Sequence, residues 1–90
     1  MTADSGSERL DKWLVYARFV RHRAAAAELV ETARVRVNSR VVIKPHQAIR
    51  PGDVLTLPQG PSVRVIRILA LPPRRGPASA ARLCYEELDA

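Results

Sequence analysis

The chain has 90 residues, of which 47% are hydrophobic, 27% charged and 4% aromatic. That length allows one domain with one modest core, and that apolar share excludes a chain too polar to fold. Fifteen Lys and Arg face nine Asp and Glu, a formal net charge of +6, which directs attention to a polyanionic partner.

Residues 1–7 are polar and read as a disordered lead-in, without the apolar stretch of a signal peptide. Ser7 is placed to cap a helix over Glu8 to about Phe19, in which Leu10, Trp13, Leu14 and Ala17 share one face. Arg9, Lys12 and Tyr16 lie on the other. Val20-Arg21-His22-Arg23 reads as a short connection, and a second helix follows from Arg23 or Ala24 to about Ala33, with Ala26, Leu29, Val30 and Ala33 on one face.

After Ala33 the period changes to two. Arg34-Val35-Arg36-Val37 alternates as a strand, Asn38-Ser39 reads as a tight turn, and Arg40 to Ile43 return as a second strand. Lys44 to Gln47 read as loop. Arg50-Pro51-Gly52-Asp53 has the chemistry of a type II turn, and Val54 to Leu57 form a strand. Gln59-Gly60-Pro61-Ser62 turns the chain into a strand over Val63 to Leu71. Its alternation slips, so a bulge near Val65-Ile66 is expected to keep Val63, Val65, Ile66 and Ile68 inside. Pro72 to Pro77 read as irregular, and Pro77 opens a last short helix through Ala80, Ala81 and Leu83.

These elements predict an α+β fold, with two N-terminal helices packed on a small, mainly antiparallel sheet and a short C-terminal helix. The expected organisation is a lead-in over 1–7, the domain proper over 8–71, and a C-terminal loop and helix over 72–90 packed on it. The expected core is Leu10, Trp13, Leu14, Ala17, Ala26, Leu29, Val30, Val35, Val37, Val54, Leu55 and Ile68.

The charge is unevenly spread. Residues 9–50 hold ten bases against three acids, whereas residues 76–90 hold one base against three. Thirteen of the fifteen bases are Arg, whose planar fork suits phosphate. Arg18, Arg21 and Arg23 crowd the helix connection, Arg34 and Arg36 follow on the strand, and the positive end of the second helix dipole adds to them. The bland reading of these arginines is a solvated surface with ion pairs to Glu28 and Glu31. Against it, so many like charges in a small area repel unless an anion neutralises them. Asp11 either favours the first helix N-terminus or pairs with Arg9 or Arg18 and orients that guanidinium. Trp13 and Leu14 have core spacing; Tyr16, off that stripe, is open between packing and stacking on an exposed base.

The order of motifs Arg9-Leu10-Asp11-Lys12-Trp13-Leu14, Arg18, His22-Arg23, Arg34-Val35-Arg36-Val37-Asn38, Lys44-Pro45 and Gly52-Asp53 resembles the S-four RNA-binding domain. The closer resemblance is to the bacterial heat-shock protein 15 family, ribosome-associated single-domain relatives. There Arg74-Arg75-Gly76-Pro77-Ala78-Ser79 and Tyr85-Glu86-Glu87 also find counterparts. The resemblance implies a helix pair and adjoining strand that form a basic surface for structured RNA, on the large ribosomal subunit, with a role on subunits that carry a blocked nascent chain. It assigns RNA contact to Arg9, Asp11, Arg18, His22, Arg23, Arg34 and Asn38. The charge pattern adds Lys12, Arg21, Arg36 and Lys44.

This sequence departs from the family at several points. His22 stands where Ser or Thr is usual, and imidazole is expected to cap poorly. Thr32 and Ala33 replace two glycines, so a left-handed residue there is expected to cost about 1 kcal/mol. Ser39 replaces a turn glycine. Members commonly continue into a long basic extension, whereas this sequence closes at Ala90 on an acidic stretch.

His22 and His46 have no nucleophile placed beside them, Cys84 reads as a small core residue, and no phosphate-loop, dinucleotide, paired-carboxylate or zinc spacing occurs. The expectation is therefore a non-enzymatic, monomeric, cytoplasmic RNA-binding protein. It is expected to need no cofactor or metal and to have no membrane association. Its partner is structured RNA, ribosomal RNA first. Two rivals are a protein–protein adapter with a basic face and the detached module of an RNA-modifying enzyme; charge alone does not separate RNA from DNA.

Overall fold

A computed structural model describes residues 6–88; residues 1–5 of the expected lead-in lie outside them. The elements run β1 (Glu8–Arg9), α1 (Leu10–Tyr16), α2 (Arg23–Glu31), β2 (Val35–Val37), β3 (Arg40–Val42), β4 (Ala48–Ile49), β5 (Val54–Gln59), β6 (Ser62–Ile68), α3 (Ala78–Ala81) and β7 (Tyr85–Glu87), with a 3-10 turn over Arg82–Cys84. Five strands form an antiparallel sheet in the order β3-β2-β5-β6-β7, and β1 pairs with β4 in a separate two-stranded ribbon. The expected α+β class, helix pair and mainly antiparallel sheet are all present.

The helices are shorter than their apolar spacing suggests, because the backbone turns left-handed. Arg18 has φ 67°. Around it, the Arg18 amide donates to the Val15 carbonyl at 3.0 Å and the Phe19 amide to the Leu14 carbonyl at 2.9 Å. That pair of bonds closes a helix in the Schellman manner. α2 ends likewise, with Ala33 at φ 64° and its amide on the Val30 carbonyl at 3.1 Å. At the other end of α2, His22 does cap: its Nδ1 accepts from the Ala25 amide at 3.2 Å. An imidazole nitrogen thus does what a hydroxyl would, correcting the expectation of a poor cap. The Ser7 cap is not what starts α1. Arg9 holds the cap position, and the Leu10 and Asp11 amides donate to the Gln47 and Pro45 carbonyls at 2.9 and 3.0 Å.

Strand alternation sends Val35, Val37, Val42, Leu55, Leu57, Ile66 and Ile68 to the face covered by the helices, where they join Leu10, Trp13, Leu14, Ala26 and Val30. Each fully buried aliphatic side chain contributes about 1.5–3 kcal/mol relative to exposure. Trp13 is fully buried and its indole N–H donates to the Ala70 carbonyl at 3.0 Å. Of the expected core, Leu29 and Val54 are only half-buried. The turns read from sequence form as expected. Asn38 and Ser39 have φ 52° and 73°, and Gly52 has φ 97° with the Asp53 amide on the Arg50 carbonyl at 3.0 Å.

The expected bulge in β6 is absent. β5 and β6 pair residue for residue from Val54↔Arg67 to Gln59↔Ser62. Val63 is therefore left 60% exposed on the outer face, and Arg64 takes the inward position beside Ile66 and Ile68. An inward Arg is tolerated because its guanidinium lies 4.9 Å from the Phe19 ring centroid and 5.8 Å from that of Tyr85, and because it pairs with Glu87. Foremost the Glu87 hydrogen bond raises the Arg64 pKa.

The C-terminal segment also differs from expectation. Tyr85–Glu87 is the fifth strand of the sheet, and Leu83 is 75% exposed. Cys84 is buried, as expected, and burial pushes its thiol pKa up.

Candidate functional site

The joint between β1, α1 and α2 carries an arrangement of charge that the fold makes rigid. β1 is held by β4 with Arg9 opposite Ala48, and the first α1 amides are held by the 44–47 loop. Asp11, in the first turn of α1, is only 3% exposed. Its carboxylate accepts from Arg9 Nε at 3.1 Å, Arg9 Nη2 at 2.8 Å, Arg23 Nη2 at 3.5 Å and the Lys12 amide at 2.7 Å. Burial alone would raise its pKa, but the Arg9 hydrogen bond, the Arg23 and Arg9 charges and the Lys12 amide outweigh burial and hold it below the ordinary carboxylate value. The same hydrogen bond raises the Arg9 pKa.

One buried carboxylate thus holds two guanidinium groups that are about half exposed, 49% for Arg9 and 53% for Arg23. Their Asp11-bound edges are spent, and about half of each side chain remains exposed. Lys12 flanks them, with its ammonium 3.7 Å from Glu8 and 5.6 Å from the Tyr16 ring centroid. Pro45 accepts from the Asp11 amide, so the backbone of Lys44 is held next to the cluster. His22 leads directly into Arg23 as its helix cap.

The other sequence-derived residues are placed as follows. Arg21 is exposed in the connection between the helices. Arg18 does not reach Asp11; its Nε donates to the Gly76 carbonyl at 2.7 Å, tying the helix pair to the C-terminal segment. Arg34 follows the C-terminus of α2, the end away from Arg23. Arg36 points to the outer face of the sheet, opposite Val41 and Thr56. Asn38 is occupied in the fold: its Nδ2 donates to Asp53 at 2.9 Å and its Oδ1 accepts from the Val54 amide at 2.9 Å.

The bland reading of the arginines required ion pairs to Glu28 and Glu31. Among the described residues neither glutamate forms one, and the side chains of Arg21, Arg34, Arg36, Lys44 and Arg50 form no ion pair either. Sequence reading named Arg9 or Arg18 as the partner of Asp11 and missed Arg23, which arrives from the second helix. Among the described residues no cluster of three or more His, Cys, Asp or Glu could hold a metal ion, and no helix is long and apolar enough to cross a membrane.

The S4 domain family model matches residues 8–55. Heat shock protein 15 of Escherichia coli K12 is 43% identical over 79 residues, covering 88% of this chain and 59% of its own length. A heat shock protein 15 homolog of Aeromonas salmonicida is 38% identical over 82 residues, 91% of this chain and 61% of the relative. An RQC P-site tRNA stabilizing factor of Listeria innocua is 37% identical over 60 residues, 67% of this chain and 64% of the relative. The chain therefore spans about three fifths of the length of the curated relatives it matches. A solved structure of heat shock protein 15 from Vibrio cholerae, described as trimeric, has a TM-score of 0.84 at 35% identity, covering 91% of this chain and 82% of that one. On these matches the chain belongs to the S4 domain family, within its heat shock protein 15 group.

Proposed function

We propose that the protein binds structured RNA, ribosomal RNA of the large subunit first, through the surface where β1, α1 and α2 meet. The observation that carries this reading is the buried Asp11 carboxylate holding both Arg9 and Arg23 while about half of each side chain stays exposed. Two guanidinium forks fixed at a set separation suit successive backbone phosphates, which position a protein on folded RNA. Lys12, Lys44 and Arg21 extend the field; Arg18 and Arg34 lie at its margins. The name of the Listeria relative, which stabilizes a P-site tRNA, supports an RNA partner on the ribosome. The chemistry is binding, with no step that makes or breaks a bond, and the binding unit is a single chain.

Filter binding of RNA purified from large ribosomal subunits, titrated with salt, tests the reading. Each phosphate neutralised adds about 0.7–0.9 to the negative slope of log K against log salt. Steep salt dependence that Arg9→Ala and Arg23→Ala both weaken is the expected result. Absence of RNA binding, with capture of an acidic protein through the same arginines, would favour the adapter instead. Light scattering at micromolar concentration checks the single-chain unit against the trimer described for the Vibrio relative.

A further inference from the structure

Between Tyr16 of α1 and the C-terminal segment lies a groove of about 290 Å³. Tyr16, Pro72, Pro73, Arg74, Gly76 and Pro77 line it, together with the end of α3 and Cys84. It is mostly apolar and no acidic side chain lines it. Its walls come from two distant parts of the chain, and two contacts fix them together. Arg18 donates to the Gly76 carbonyl at 2.7 Å, and Trp13, one helical turn before Tyr16, donates to the Ala70 carbonyl at 3.0 Å.

We propose that this groove receives one unstacked nucleobase of the bound RNA, stacked on the Tyr16 ring. The inference rests on the RNA-binding reading above and deepens it. Three observations converge. Tyr16 is half-buried although it lies off the core stripe of α1, so a ring surface remains at the groove. The proline pair that also lines the groove is rigid and apolar, the kind of wall on which a flat ring packs with little ordering cost. The surround is cationic. The Lys12 ammonium sits 5.6 Å from the Tyr16 ring centroid, Arg74 is a wall residue, and Arg75 follows it without an acidic partner among the described residues. An apolar slot edged by positive charge complements a base attached to a phosphodiester and rejects an acidic peptide that has no flat ring to insert. Lys12, next to Asp11 in sequence and near the Tyr16 ring, links the phosphate-binding surface at Arg9 and Arg23 to the slot. Single-stranded bases splayed from a loop or bulge are what proteins stack on aromatic rings, because duplex bases are already stacked.

The test compares two RNA probes: RNA purified from large ribosomal subunits, which offers loops and bulges, and a perfect RNA duplex, which offers none. Tyr16→Ala is expected to lose about tenfold in affinity for the ribosomal RNA, within the range for one base–aromatic stack, and little for the duplex. Tyr16→Phe is expected to retain binding, since the ring and not the hydroxyl carries the contact. Ultraviolet crosslinking is expected to leave a nucleotide adduct on the peptide containing Tyr16 or on residues 72–77. Circular dichroism controls for folding. The proposal is overturned if Tyr16→Ala binds both RNAs like the parent while Arg23→Ala is impaired; RNA binding then stands without the slot. Equal losses on both probes, or failure of Tyr16→Phe to restore binding, also overturn it. A parent protein that binds neither RNA overturns this inference together with the reading it rests on.

Discussion

Arg9 grips Asp11 with both prongs of its guanidinium, Nε on one carboxylate oxygen at 3.1 Å and Nη2 on the other at 2.8 Å. Bidentate geometry fixes the plane as well as the position of the arginine. Arg23, arriving from the second helix, shares the same carboxylate at 3.5 Å. The acid in this basic surface therefore works as a bracket, and its removal distinguishes positioning from net charge.

Asp11→Asn removes a negative charge from the surface, so a purely electrostatic account expects RNA affinity to rise. The bracket account expects it to fall about three- to tenfold, because both guanidinium groups lose their shared anchor. Folding stability is expected to fall by about 1.5–3 kcal/mol, typical for losing hydrogen bonds to a charged group. Filter binding and urea denaturation on the same preparations separate the two effects. Affinity equal to or above the parent would remove Asp11 from the site.

The pH dependence follows from the direction of the Asp11 shift. Its folded pKa lies below the ordinary carboxylate value of about 3.9. The folded state then holds the proton less tightly than the unfolded state, so the contribution of Asp11 is complete above the unfolded pKa and is lost as pH falls through the folded one. The stability difference between the parent and Asp11→Asn is expected to be constant between pH 7 and about pH 5 and to shrink below about pH 4. Urea melts across that range check it. A difference that grows on acidification would contradict the assigned shift.

Much of the fold is legible in the sequence because apolar period reports directly on burial. Leu10, Trp13, Leu14 and Ala17 mark the inner face of α1, and Val35 and Val37 that of β2, and all six are buried. What escaped depends on partners far along the chain. β1 is two residues long and exists only because Ala48 and Ile49 pair with it. The inward Arg64 is acceptable only because Phe19 and Tyr85 stack beneath it, which no local pattern encodes. In the site, the concentration of arginines was visible as composition. The choice of Arg23 over Arg18 as the second partner of Asp11 was not, because it follows from the left-handed turn at Arg18.

Two of those left-handed positions offer a direct stability test. Ala33 and Ser39 have φ 64° and 73°, and neither carries a glycine. A β-carbon in that conformation costs about 1–2 kcal/mol, partly offset by the greater chain entropy that glycine loses on folding. Ala33→Gly and Ser39→Gly are each expected to stabilise by about 0.5–1 kcal/mol, and their effects to add because they share no partner. Asn38→Gly is expected to destabilise in spite of its φ of 52°, since it removes the bonds to Asp53 and Val54. Thermal melts of the four proteins settle the order.

The helix cap gives a further comparison. His22 Nδ1 accepts from the Ala25 amide at 3.2 Å. His22→Ala is expected to destabilise by about 1 kcal/mol, the usual loss for a removed N-cap, and His22→Ser to match or exceed the parent. If the cap serves only α2, RNA affinity of the folded His22→Ser protein stays within about twofold of the parent. A larger loss would make the imidazole itself a contact.

The last prediction maps the surface by salt slope. Arg23 sits in the bracketed cluster, Arg34 beyond the far end of α2, and Arg67 on the outer face of the sheet, paired with Glu86 at 2.7 Å. α2 has nine residues, so at 1.5 Å per residue about 14 Å of helix separates its two ends. Arg23→Ala is expected to weaken ribosomal RNA binding most and to make the slope of log K against log salt shallower by roughly one unit. Arg34→Ala is expected to do so less, because at that separation it contacts a phosphate only if the RNA runs along the helix. Arg67→Ala is expected to leave both quantities unchanged. Arg64 is unsuitable as the control, since its stem and guanidinium cover Phe19 and Tyr85 and its loss would expose them. Equal effects at Arg23 and Arg34 would extend the surface along all of α2. An effect of Arg67→Ala as large as that of Arg23→Ala would move RNA to the outer face of the sheet, where Arg36 also points, and would end the helix-joint assignment.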